Sequence, residues 1–155
     1  MEKKQIQIAP PNIKTVEFFI KGTAPLVVHK FSQKAILQIR QKQEAGSVAS
    51  KGKKRDAKNF DDLFNGARHI SSDGWDGIPA GAFRCALISA CRLCDFKMTM
   101  AKMSIFIKAD GYDDTEGTPL VKIIGDKAEK HESMVRIGIG GCTTDISVRA
   151  MYRKW

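Results

Sequence analysis

The chain has little of what most enzyme, membrane and secreted classes need. No run approaches the roughly 18 consecutive apolar residues of a transmembrane helix in these 155 residues. Met1-Glu2-Lys3-Lys4-Gln5-Ile6 has no apolar stretch behind its charges, so a secretory leader is not expected, and the expected location is the cytoplasm, that of a host cell if the chain is phage-encoded. Cysteine is sparse: Cys85, Cys91, Cys94 and Cys142. Cys91-Arg92-Leu93-Cys94 has C-x-x-C spacing, but it lies at the end of a predicted helix and no second close pair follows. Small buried thiols are therefore expected, with neither zinc nor a disulfide.

Histidine is equally scarce. His131-Glu132 opens like H-E-x-x-H, yet Val135 stands where the second histidine belongs; His29 and His69 have no motif around them. No serine occupies a G-x-S-x-G elbow. Asp110, Asp113, Asp114 and Glu116 lack the order of a calcium loop and read as a solvated turn. Gly138-Ile139-Gly140-Gly141 has no following lysine or helix and reads as a glycine-rich hairpin or bulge instead of a phosphate loop. No catalytic set, cofactor or metal is expected, and the chain reads as a non-enzyme.

What is present is positive charge. The net charge is +9, and Lys30, Lys34, Arg40, Lys42, Lys51, Lys53, Lys54, Arg55 and Lys58, set against Glu44 and Asp56, carry +7 of it. Flexible cationic chain of this kind suits a phosphate backbone, because each Lys or Arg placed near a phosphate releases condensed counterions. Lys51, Lys53, Lys54, Arg55 and Lys58 are the expected phosphate contacts, with Arg40, Lys42, Arg84 and Arg92 behind them. Phe31 and Phe60, and further off Trp75, are candidate stacking surfaces for unpaired bases, although such aromatics more often belong to a core. The competing reading is a solvated loop with no partner.

Hydrophobic patterning predicts a single domain over 1–155, with a loose arm at 1–13 stopped by Pro10-Pro11. Val16, Phe18 and Ile20 alternate with Glu17, Phe19 and Lys21, which predicts a strand over 15–21; Leu26 to His29 reads as a second extended piece. A helix is expected from Ser32 to about Ala45, with Ala35, Ile36 and Ile39 inward. A mobile basic loop follows over about 46–58, then a short helix over Asn59–Ala67. Gly74, Asp76 and Gly77 predict a turn, and Pro79 the start of a central core helix with Phe83, Leu87, Ala90, Cys91 and Cys94 on its apolar stripe and Arg84 and Arg92 pointing away. Strands are expected over Met103–Ala109, Pro119–Ile124, Met134–Ile139 and Thr144–Met151. The class is α+β, a largely antiparallel sheet with one or two packed helices.

Thr23-Ala24-Pro25-Leu26-Val27-Val28-His29-Lys30, Gly77-Ile78-Pro79-Ala80-Gly81-Ala82-Phe83-Arg84-Cys85-Ala86-Leu87, Gly117-Thr118-Pro119-Leu120, Met134-Val135-Arg136 and Asp145-Ile146-Ser147-Val148-Arg149 resemble a family of uncharacterised phage and prophage proteins. Members continue past the position of Trp155 with a further strand and helix, so the resemblance implies a C-terminally shortened chain. The turn from Ile78-Pro79-Ala80 into Phe83-Arg84 is also distantly similar to repeat-associated RNA-binding (RAMP) proteins of the Cas7 type, whose glycine-rich C-terminal loop is not evident here. That similarity implies a ferredoxin-like, RRM-like core with the basic loop as an insertion.

Two functions stand against each other. The first is a non-catalytic phage nucleic-acid-binding protein. A single strand, RNA or DNA, fits it better than a duplex, since no helix-turn-helix is visible. The second is a protein-interaction module, such as a phage factor that binds or mimics a subunit of a host defence complex. A homo-oligomer is compatible with either, and a membrane partner with neither.

Overall fold

Among the described residues the chain forms eleven short elements, whose pairing defines two antiparallel sheets. The computed structural model describes residue 10 and residues 12–31, 33–44, 58–137 and 143–155, without the side chains of Lys34, Lys42 and Thr143. Most of the expected arm, and the basic loop up to residue 57, lie outside the described residues. In chain order the elements are β1 (Leu26–Val28), α1 (Gln33–Glu44), α2 (Phe60–Gly66), β2 (Gly77–Pro79), α3 (Ala80–Ala90), a 3-10 turn (Cys91–Leu93), α4 (Met98–Ser104), β3 (Gly111–Tyr112), β4 (Pro119–Lys122), β5 (Glu129–Ile137) and β6 (Thr143–Tyr152). One sheet has the order β1-β6-β5 and the other β2-β4-β3. The α+β class and the antiparallel pairing are as the patterning predicts. Among the described residues the strands are divided over two sheets, and there are four α-helices: the three expected along the chain and, in addition, α4.

The first sheet is built on β6. Leu26 pairs with Tyr152 and Val28 with Ala150 on one side; on the other, β5 forms a long hairpin with β6, from Glu129 opposite Met151 to Ile137 opposite Thr143. Val148, Ala150 and Tyr152 alternate along β6 and are buried, and α2 packs against this strand. That helix starts where Asn59 Oδ1 accepts from the N–H groups of Asp61 (3.0 Å) and Asp62 (3.4 Å), a side-chain cap worth about 1 kcal/mol. Asp61 and Asp62 also place negative charge at the positive end of the helix dipole. Burial pushes the Tyr152 hydroxyl up to about 12, and the nearby Asp76 carboxylate acts in the same direction. Gly22 N–H donates to Trp155 O (2.7 Å) and the Trp155 indole N–H to Ala24 O (2.8 Å), which extends the β1 side of the sheet beyond Tyr152.

The second sheet is held around Trp75. The expected turn is present: Gly74 takes φ +81, where glycine has no steric penalty, and its N–H donates to Ser71 O at 2.9 Å. The Trp75 ring then lies so close to Gly77 and Gly111 that a Cβ there would come within 3.0 Å and 2.7 Å of it. Lys122 Nζ stands 5.8 Å from the ring centroid. Trp75 therefore clamps β2, β3 and β4 together and is no free platform for a base.

Four local expectations are overturned. Residues 15–21 form no strand; they are exposed, and no described strand lies alongside to take their hydrogen bonds. Of the strand expected over Met103–Ala109, Met103 and Ser104 instead end helix α4, and Ile105 to Ala109 have no ladder partner among the described residues. Helix α3 turns a different face inward: Ala80 and Ile88 are buried and Arg84 half-buried, whereas Leu87, Ala90 and Cys94 are exposed. Cys85 and Cys94 are surface thiols, contrary to the buried pattern expected, and Cys142 lies outside the described residues. No described helix is long and apolar enough to cross a membrane.

Candidate nucleic-acid interface

The residue pair Lys30-Phe31 leaves β1 and splits into two environments. Lys30 N–H donates to Ala67 O (3.0 Å), which ties the strand exit to the end of α2. The Lys30 ammonium then turns inward to Asp113 Oδ1 (2.7 Å) and Thr115 Oγ1 (2.7 Å), with Glu116 Oε1 at 3.8 Å. The two charged side chains are only 8% and 1% exposed. Asp113 Oδ1 also accepts from the Thr115 N–H (3.0 Å), the Thr115 hydroxyl (2.8 Å) and the Glu116 N–H (3.1 Å). Burial by itself would raise the Asp113 carboxyl. The Lys30 ammonium, the Thr115 hydroxyl and the two backbone donors outweigh it and hold the group well below the usual carboxylate range. The acidic loop is thus anchored through a buried carboxylate; a solvated turn does not describe Asp113.

His69 Nδ1 stands 3.4 Å from Asp113 Oδ2. Its pKa is lowered, first by burial and then by the Lys30 charge, against the opposing pull of Asp113. That of His29 is also lowered, by burial and by Arg149. Both imidazoles are therefore neutral at pH 7.

Phe31 goes the other way. It is 70% exposed, and its ring stacks on His29 with centroids 6.4 Å apart and planes 23° from parallel. The pair lines a groove of about 690 Å³ together with Ile36, Ile39, Arg40 and Gln43 of α1 and with His69 and Glu116. The inward face expected for α1 is real as an amphipathic pattern, but Ile36 and Ile39 line this groove and remain exposed instead of entering the core. Arg40 Nε holds Glu44 Oε1 at 2.9 Å, an exposed pair one helical turn apart. Such a pair is worth only ~0.3–0.5 kcal/mol, so a phosphate can replace Glu44 at little cost.

The other expected contacts scatter. Lys51, Lys53, Lys54 and Arg55 lie outside the described residues, and so does the side chain of Lys42. Lys58 pairs with Asp145 near the start of β6 and reaches Ile146 O (3.4 Å). Asp145 is five residues along β6 from Ala150, the partner of Val28, so Lys58 sits roughly 17 Å up the sheet from the groove-side end. Arg84 does not point away from the fold: its guanidinium donates to Ile105 O (3.0 Å) and Lys102 O, closing the C-terminal end of α4. It is a structural cap and is withdrawn from phosphate contact. Arg92 is exposed on the 3-10 turn, with Nε 3.3 Å from Met98 Sδ. Phe60 is half-buried on α2.

Of the sequence candidates among the described residues, the structure gathers Phe31 and Arg40 at one place, and it adds His29, Ile36 and Ile39. The signal for His29 was its two-residue spacing from Phe31 across a strand end, which puts both rings on one side of an extended backbone. Among the described residues no cluster of His, Cys, Asp and Glu has the arrangement of a metal site. No protein-family model, curated protein or solved structure matches the chain.

Proposed function

We propose that the protein is a non-catalytic binder of single-stranded nucleic acid, of the phage type that the sequence resemblance implies. In this reading unpaired bases stack on the Phe31–His29 pair while Arg40 and the lysine-rich stretch that follows α1 take the phosphates. The observation that carries the reading is an exposed aromatic ring stacked on a neutral histidine, beside an arginine whose ion pair is weak. A base has a π-face whatever its identity, so a stacking platform flanked in the sequence by cations binds strands with little sequence preference. The non-catalytic part of the proposal is supported by the state of the buried titratable groups: Lys30, Asp113 and His69 satisfy one another. Lys58 takes part from a distance, and Arg84 takes no part.

The test is fluorescence anisotropy with labelled single-stranded RNA, single-stranded DNA and duplex DNA at two salt concentrations, on the parent chain and on a variant with Lys51, Lys53, Lys54 and Arg55 all changed to Ala. The proposal expects single-strand binding that weakens with salt and is largely lost in the variant. An absence of binding at low salt, or equal binding by the variant, overturns it.

A further inference from the structure

We propose that residues 15–21 of one copy of this protein pair, as an antiparallel strand, with the outer edge of β5 in a second copy, and that two such exchanges close a symmetric dimer. The segment Thr15-Val16-Glu17-Phe18-Phe19-Ile20-Lys21 has strand composition and strand alternation, yet it is exposed and has no described ladder partner. Phe19 is 90% exposed. At the far side of the same sheet, β5 is an edge strand of nine residues that pairs only with β6 among the described residues. A long exposed edge is a template for one more strand, and Met134 on it is 81% exposed.

The two segments are complementary in one register. With Phe19 opposite Met134, antiparallel pairing sets Glu17 opposite Arg136 and Lys21 opposite Glu132. On the other face Val16 meets Ile137 and Phe18 meets Val135. All four charged side chains are exposed and so available for this contact. Directly opposed pairs are the unit of sheet stabilisation, so this register gains from both faces. Sliding the strand by two residues destroys the match: one direction opposes Lys21 to Lys130 and Phe19 to Glu132, the other opposes Phe19 to Arg136.

The same chain cannot supply both partners. Gly22 is hydrogen-bonded to Trp155 O on the β1 side of β6. Glu132 pairs with Val148, seven residues before Trp155 and therefore roughly 23 Å away along the strand. Lys21 lies only ~3.8 Å from Gly22 along the backbone, so it does not reach its own Glu132. A second copy does, and when two copies each give their strand to the other's edge the reciprocal exchange is self-complementary and closes at two.

Analytical ultracentrifugation of the full chain across a dilution series, free of nucleic acid, tests this. The parent chain should be a dimer, and E17R or R136E alone should weaken the dimer by roughly tenfold or more, since each reverses two contacts per symmetric pair. The double variant E17R/R136E keeps the parent's net charge and should restore the dimer. Circular dichroism on each variant reads folding separately, because both positions are exposed. A parent chain that is monomeric at every concentration overturns the proposal, and so does a dimer that ignores both reversals or a double variant that stays dissociated.

Discussion

Lys30 and Phe31 are neighbours in the chain and opposites in the structure. The Lys30 charge counts toward the basic segment on paper, but in the fold it is sealed against Asp113, Thr115 and Glu116. Phe31, the residue a hydrophobicity scale would bury, stands open to solvent on His29. The difference shows that a cluster of lysines in a sequence is not yet a charged surface. What reaches solvent is decided by where β1 ends and by which carboxylate is close enough to claim the ammonium.

The largest effect should come from breaking the inner half of this comparison. Asp113→Ala leaves a buried ammonium without its partner, which should cost about 3–5 kcal/mol of stability, read as a drop in denaturant midpoint. Next comes acid. The Asp113 carboxyl is held below its ordinary value of 3.8, so its contribution is fully present above that pH and is lost as the pH falls further toward the folded-state value. His29 and His69 act earlier and in the same direction. Their folded-state pKa values lie below 6.5, so the unfolded chain takes up protons first and stability declines as the pH drops through that value. Urea titrations from pH 7.5 down to pH 3 should show a shallow decline followed by a steeper one. A flat profile would mean that neither Asp113 nor His69 is withdrawn from solvent as described.

The outer half should respond in binding and not in stability. Phe31→Ala should change the unfolding free energy by less than about 1 kcal/mol, as expected for an exposed ring. Arg40→Ala is the smallest change. Stability should move by no more than about 0.5 kcal/mol, while the slope of log affinity against log salt should flatten by roughly one contact, measured by repeating oligonucleotide titrations over a salt series.

The sequence was most legible where a local rule and its tertiary partner agreed. The short helix expected over Asn59–Ala67 is α2, the turn expected at Gly74 is present, and the strand expected over Thr144–Met151 is β6. The sequence was misleading where period alone had to decide. Residues 15–21 and 103–109 have equally clean alternation, but a strand needs a neighbour, and pairing is a non-local property. In α3 the small residues Ala82, Ala86 and Ala90 made several faces look packable; Arg84 fixed the choice because it found two free carbonyls at the end of α4. The candidate groove was half visible: Phe31 and Arg40 carried a signal, while His29, Ile36 and Ile39 acquired their place only when α1 came to lie across the exit of β1.

In the proposed function the Phe31–His29 platform binds bases and the Lys30–Asp113 cluster is structural. The most direct measurement is the affinity of Phe31→Ala for the single strand preferred by the parent chain, at fixed salt. Loss of one stacked base predicts an affinity lower by about 1–3 kcal/mol, roughly 5- to 150-fold, with an unchanged salt slope. An affinity equal to that of the parent would contradict the account, because the exposed ring would then serve no base.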